Sequence, residues 1–133
     1  MADTELRDML VEYMGKGFLE NIIDMFKHDA SLFRFLPDLI SSDNTRVRIG
    51  AAALIEELRE SHRKEIEEVI PEIIKLLHGA DRTQRGDIAY ILGLTGSPLA
   101  IEALKKLSMD EAHDVRQVAR EALEDLQGTK KLH

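Results

Sequence analysis

The chain has no cysteine and no tryptophan, three prolines, and only four phenylalanines and two tyrosines among 133 residues. Without cysteine there is no disulfide, no thiolate nucleophile and no Cys-based zinc or iron–sulfur site, and a reducing compartment is the natural home. Long apolar runs are missing too. The longest stretch free of charge, Ile88 to Ile101, is 14 residues and holds Gly93, Gly96 and Pro98, well short of the roughly 20 apolar residues a spanning helix needs. The first residues, Met-Ala-Asp-Thr-Glu-Leu-Arg-Asp, are acidic where a secretory leader is basic and then apolar. Basic charge is in deficit: 18 Lys and Arg face 25 Asp and Glu, for a net charge of -7. The average field therefore repels phosphate, and nucleic-acid binding would require a local basic stripe that the chain lacks. A cytoplasmic protein with no membrane and no nucleic-acid partner is expected.

What is present is a folding composition, with 44% hydrophobic and 32% charged residues of mixed sign. Aliphatics recur at helical spacing and period-two runs of β-branched residues are absent, which predicts an all-α fold. Gly15 and Gly17, the cluster Ser42-Asp43-Asn44-Thr45, Gly79, Gly96-Ser97-Pro98 and Gly128 cut the chain. Eight helices follow, over 5–14, 18–28, 30–41, 45–60, 64–78, 82–94, 98–107 and 111–127. Ser97 before Pro98 is a helix start, and Asp81 with Gln84 and Ser108 with Glu111 have capping-box spacing.

The segments repeat. Leu36-Pro37-Asp38-Leu39-Ile40, Ile70-Pro71-Glu72-Ile73-Ile74 and Ile101-Glu102-Ala103-Leu104 are equivalent first-helix cores. Second helices align at Val47-Arg48, Gln84-Arg85 and Val115-Arg116, so their arginines fall in register at separations of 37 and 31 residues (85 minus 48, 116 minus 85). Such a period marks stacked helix pairs, none able to bury its apolar face alone. The longer spacing predicts an insertion around Glu60 to Glu65. In the last helix Val115, Val118, Ala119, Ala122, Leu123 and Leu126 form one stripe against Gln117, Arg120, Glu121 and Glu124, the pattern of an end helix. The two preceding second helices carry Ile49, Ala52 and Ala53, and Ala89, Tyr90, Gly93 and Leu94, on their far sides, so both sides are expected to be covered. Phe18, Leu19, Ile22, Ile23, Met25 and Phe26 share an inward arc at the other end, and the aromatic-rich start, which also holds Tyr13, Phe33 and Phe35, reads as the core of a capping pair rather than a dimer or partner patch. The organisation is then a single domain over 1–128, with a degenerate pair in 1–30 and three regular repeats in 31–127, followed by a mobile tail, 129–133, that holds Lys130 and Lys131.

Leu36-Pro37-x-Leu39-Ile40, Val47-Arg48-x-x-Ala51-Ala52, Ile91-Leu92-Gly93-Leu94-Thr95-Gly96-Ser97-Pro98 with Ala100-Ile101, and Asp114-Val115-Arg116 together resemble the HEAT-repeat family, in the short form also seen in phycobilin lyases. The resemblance implies an α-solenoid of antiparallel helix pairs, a right-handed superhelix whose second helices line a concave surface that grips other macromolecules. It also implies that Arg48, Arg85 and Arg116 form a ladder between repeats with the turn residues Asp43, Asp81 and Asp110, although an arginine column also suits an anionic partner. Gln84 stands where a valine is usual, and Glu56 and Glu124 replace the small residue kept at Gly93.

Catalytic patterns are sparse. No two of His28, His62, His78, His113 and His133 are four apart and none precedes Glu, so metal binding is unsupported. The iron enzymes built on HEAT-like repeats depend on His-Glu pairs, and His28-Asp29 and His113-Asp114 come nearest. Ser31, Ser41, Ser42, Ser61, Ser97 and Ser108 lie at turns with no nucleophile elbow, and neither glycine-rich nucleotide pattern occurs. The run Glu56 to Glu68 holds nine charges in thirteen residues. It suits a solvated edge or a docking rim. The expectation is a non-catalytic scaffold or adaptor that binds another protein, needs no cofactor, and is a monomer or weak homodimer. Alternatives are a bilin lyase-like enzyme or accessory subunit, and a nucleic-acid-binding HEAT-like protein. If a groove is used, Arg82, Asp87 and Arg120 flank it.

Overall fold

Short amphipathic segments satisfy their backbone groups internally only as helices. The structure, a computed structural model, describes residues 2–128 and holds eight α-helices with no strand among the described residues. They are α1 (Asp3–Gly15), α2 (Leu19–His28), α3 (Leu36–Ile40), α4 (Thr45–Leu58), α5 (Arg63–Lys75), α6 (Arg82–Leu94), α7 (Ile101–Leu107) and α8 (His113–Gln127). The third and seventh expected helices open as 3-10 segments, Ala30–Phe35 and Pro98–Ala100, the tighter winding that is common where a helix begins. Among the described residues no helix is long and apolar enough to cross a membrane. Residues 129–133, expected as a tail, lie outside the described ones.

Two compact units divide between Val69 and Ile70, inside α5. In the first, α4 packs against α1, α2 and α3. Leu10, Met14, Ile22, Phe26, Phe33, Leu36, Leu39, Leu54, Ile55 and Leu58 are buried there. Each fully buried aliphatic or aromatic side chain contributes about 1.5–3 kcal/mol relative to exposure. Phe26 and Phe33 meet edge to face at 5.1 Å, and His62 stacks on Phe33 at 5.4 Å. Asn44 caps α4 by accepting the Arg46 N–H at 2.9 Å. Gly50 is a glycine because Met14 fills the space: a methyl group there would land on its thioether.

In the second unit α8 packs on α6 and α7. Asp81 and Gln84 form the expected capping box at the start of α6, with side chain and backbone exchanging bonds of 2.8 Å in each direction. Ser97 accepts the Leu99 N–H at 3.2 Å. The buried Thr95 hydroxyl donates to the Leu92 carbonyl at 2.6 Å. At Gly93 the backbones of α6 and α8 come together: a Cβ there would lie 2.7 Å from the Ala122 Cβ and 3.4 Å from its Cα.

Three expectations need correction. Ile49 and Tyr90 are 65% and 55% exposed. A helical wheel gives a residue's direction but not whether a neighbour extends far enough to cover it. Phe18 is 48% exposed, because it stands before α2 at the turn and so escapes that helix's inward arc. Ser108 and Glu111 form no capping box. Helix α8 begins at His113 with Ala112 at its cap, and the Ser108 hydroxyl instead donates to the Lys105 carbonyl at 2.6 Å. Measured to the equivalent first-helix cores, the six extra residues of the longer spacing fall between Arg48 and Ile70 (70 minus 48 is 22, against 101 minus 85, which is 16), and α5 begins within that stretch at Arg63.

Candidate functional site

The arginine column is first a set of clasps. Arginine side chains on a helix lean toward its N-terminus, where the preceding loop presents carbonyls without amide partners. Arg48 Nη1 donates to the Ser42 carbonyl at 2.8 Å, Arg85 Nη1 to Ala80 at 3.1 Å, and Arg116 Nη1 to Asp110 at 2.8 Å. Arg85 does more. Its Nε and Nη2 donate to the two carboxylate oxygens of Asp110 at 2.8 and 3.1 Å, a bidentate rung between α6 and the turn before α8. Asp110 also accepts the Ala112 N–H at 2.9 Å. The Arg85 hydrogen bond, more than any other influence, holds the Asp110 carboxyl below its ordinary range, and the same bond raises the guanidinium.

The three turn aspartates are not equivalent. Asp110 lies six residues before its arginine, Asp43 five and Asp81 four. Asp81 accordingly serves as the cap of α6, while Asp43 is exposed and has no hydrogen-bond partner among the described residues. Of the groove candidates, Arg82 donates from Nε to both Asp114 oxygens at 3.0 and 3.1 Å, which lowers that carboxyl and raises the guanidinium. Arg120 donates to the Ser108 carbonyl at 3.3 Å, and Asp87 is half-buried. These cations already hold partners within their own unit, which ties the face together rather than presenting open charge.

An open aromatic feature lies at the turn between α1 and α2. Gly17 has φ +92°, a left-handed conformation that glycine adopts without penalty. The chain reverses there, and the Phe18 N–H donates back to the Tyr13 carbonyl at 3.0 Å. The two rings consequently stand at 86° with centroids 5.9 Å apart, and both stay exposed, Tyr13 at 40%. With Met25, Glu20, Asn21 and Asp24 they line an open hollow of about 680 Å³. Its apolar wall is aromatic and thioether, and its polar wall is two carboxylates and an amide. Asp24 lies 3.6 Å from His28 Nδ1, and Lys16, on the same turn, is held by Glu12 at 3.0 Å. The position of Phe18 directly after Gly17 is the signal that could have separated it from the buried phenylalanines.

Among the described residues no group of three His, Asp or Glu side chains gathers to hold a metal. His62 is committed to Phe33 and to the Ser61 hydroxyl, and His28 to the Asp24 carbonyl. Every buried side-chain nitrogen and oxygen among the described residues has a partner.

No curated protein and no solved structure shows a significant match to the chain. The sequence profile of HEAT repeats matches residues 19–124, which is more than half of the chain and begins at α2. The repeats seen at Arg48, Arg85 and Arg116, the all-helical pairs and this match agree: the chain belongs to the HEAT-repeat family and to its α-solenoid fold class.

Proposed function

We propose that this HEAT-repeat chain is a non-catalytic protein-binding module that presents the turn between α1 and α2 to its partner. HEAT repeats commonly serve as scaffolds for protein interaction. The observation that carries the reading is the exposed Tyr13–Phe18 pair over an open hollow, in a unit whose other phenylalanines, Phe26, Phe33 and Phe35, are all buried. Two rings left in water beside a well-filled core are a cost to solubility that a partner surface explains, since aromatics anchor interface hot spots.

A photo-crosslinking residue placed at Phe18, in the cells that make the protein, tests this. One stoichiometric protein adduct is expected there, and none when the same residue replaces exposed Glu121 on α8. Adducts spread equally over both positions, or turnover of a small molecule by the purified chain with no adduct at all, would overturn the reading.

A further inference from the structure

The chemistry of the hollow names the class of partner more narrowly, and this inference rests on the protein-binding reading above. We infer that the corner between Tyr13 and Phe18 receives a lysine or arginine side chain from a basic amphipathic segment of the partner protein. Two rings at 86° leave ring surface facing a common corner, and the face of an aromatic ring is its negative region, attractive to a cation within about 6 Å. The polar residues of the same hollow are Glu20, Asn21 and Asp24, with no lysine or arginine among them. Lys16, the cation closest along the chain, pairs with Glu12 at 3.0 Å.

Lysine and arginine are amphipathic in the matching sense. Their methylene stems lie along apolar surface such as Phe18 and Met25, while the charged head reaches polar partners, here the carboxylates of Glu20 and Asp24. An apolar anchor alone would leave those carboxylates unmatched. An acidic or phosphate-bearing segment would be repelled by them, and the wider field has the same sign. From residue 2 to 28 six carboxylates, Asp3, Glu5, Asp8, Glu12, Glu20 and Asp24, face three cations, Arg7, Lys16 and Lys27. Such a field raises the encounter rate with basic partners and weakens with salt.

The probe is an acetylated amphipathic peptide of leucine and lysine, with a counterpart in which glutamate replaces every lysine, titrated into the full chain and followed by amide and aromatic NMR. The lysine peptide is expected to shift the Tyr13 and Phe18 ring signals and the Glu20–Asp24 amides, and the glutamate peptide to leave them still. Phe18→Ala should weaken binding about tenfold. Because that variant alters a turn, the paired change Glu20→Gln with Asp24→Asn serves as the second arm, and it should weaken binding and flatten its salt dependence without touching the rings. Shifts confined to other surfaces, equal binding of the glutamate peptide, displacement by an oligonucleotide at the same residues, or ring signals that move only with the chain's own concentration would each overturn the inference. Those outcomes leave the protein-binding reading to the crosslinking result, so the two can fail separately.

Discussion

Arg85 and Asp110 grip each other at two points, with Nε on Oδ1 at 2.8 Å and Nη2 on Oδ2 at 3.1 Å. Their side chains are only 19% and 11% exposed, whereas those of Arg82 and Asp114, the neighbouring pair, are 65% and 60% exposed. Water screens the second pair and leaves its side chains more entropy to lose. The paired, sheltered geometry of the first is the stronger arrangement. Asp110→Asn should therefore lower the urea midpoint clearly more than Asp114→Asn does. Circular dichroism at 222 nm reads both, and equal losses would contradict the ranking.

Acid should expose the same pairs. Hydrogen bonds from Arg85, Arg82 and Ser31 hold the Asp110, Asp114 and Asp29 carboxyls below their ordinary values. As pH falls through about 4, the unfolded chain takes up protons at these sites before the folded one does. The contribution of these carboxylates is thus complete above that value and is lost as pH drops toward the depressed native ones. The urea midpoint should be level from about pH 7 to 5 and then fall, with a shallower acid slope in Asp110→Asn. An unchanged slope in that variant would remove the assignment.

Gly93 answers for packing, not for turn geometry. A methyl group there meets the Cβ of Ala122 at 2.7 Å and its Cα at 3.4 Å, so backbone must move to admit it. Gly93→Ala should cost about 1–3 kcal/mol by overpacking, despite the better helix propensity of alanine. Ala122→Gly in the same chain should recover part of that loss, and a double-mutant cycle with no coupling would show that the contact is not the cause.

Ile49 and Ile55 share one helix and differ in surroundings. Ile49 is 65% exposed and Ile55 is 0% exposed. Ile49→Ser should change stability by no more than about 0.5 kcal/mol, while Ile55→Ala should cost about 2–5 kcal/mol. Chemical denaturation of the two variants gives the comparison, and a large loss at Ile49 would mean that its side chain is covered in solution.

Local chemistry made most of the helices readable. Asp81 with Gln84, Ser97 before Pro98, and the arginines at 48, 85 and 116 each state where a helix starts or which pairs are equivalent, because capping and periodicity act over a few residues. The candidate site was less readable, since it depends on distances between elements. Whether Asp43, Asp81 or Asp110 could reach an arginine turned on one or two residues of loop length. A wheel that takes residue 18 as helical puts Phe18 in the core, whereas Gly17 turns the chain first and sets that ring beside Tyr13. Ile49 looked like core for a related reason: hydrophobicity shows what a residue favours, not whether a neighbour arrives.

The contact at Gly93 also limits how α8 can change. Glu121 and Leu123, the sequence neighbours of Ala122, lie about 100° round the helix, so the glycine constrains one position of α8 and not its neighbours. Mutational drift along α8 is free to alter its wet face, but the residue that meets Gly93 has to stay small.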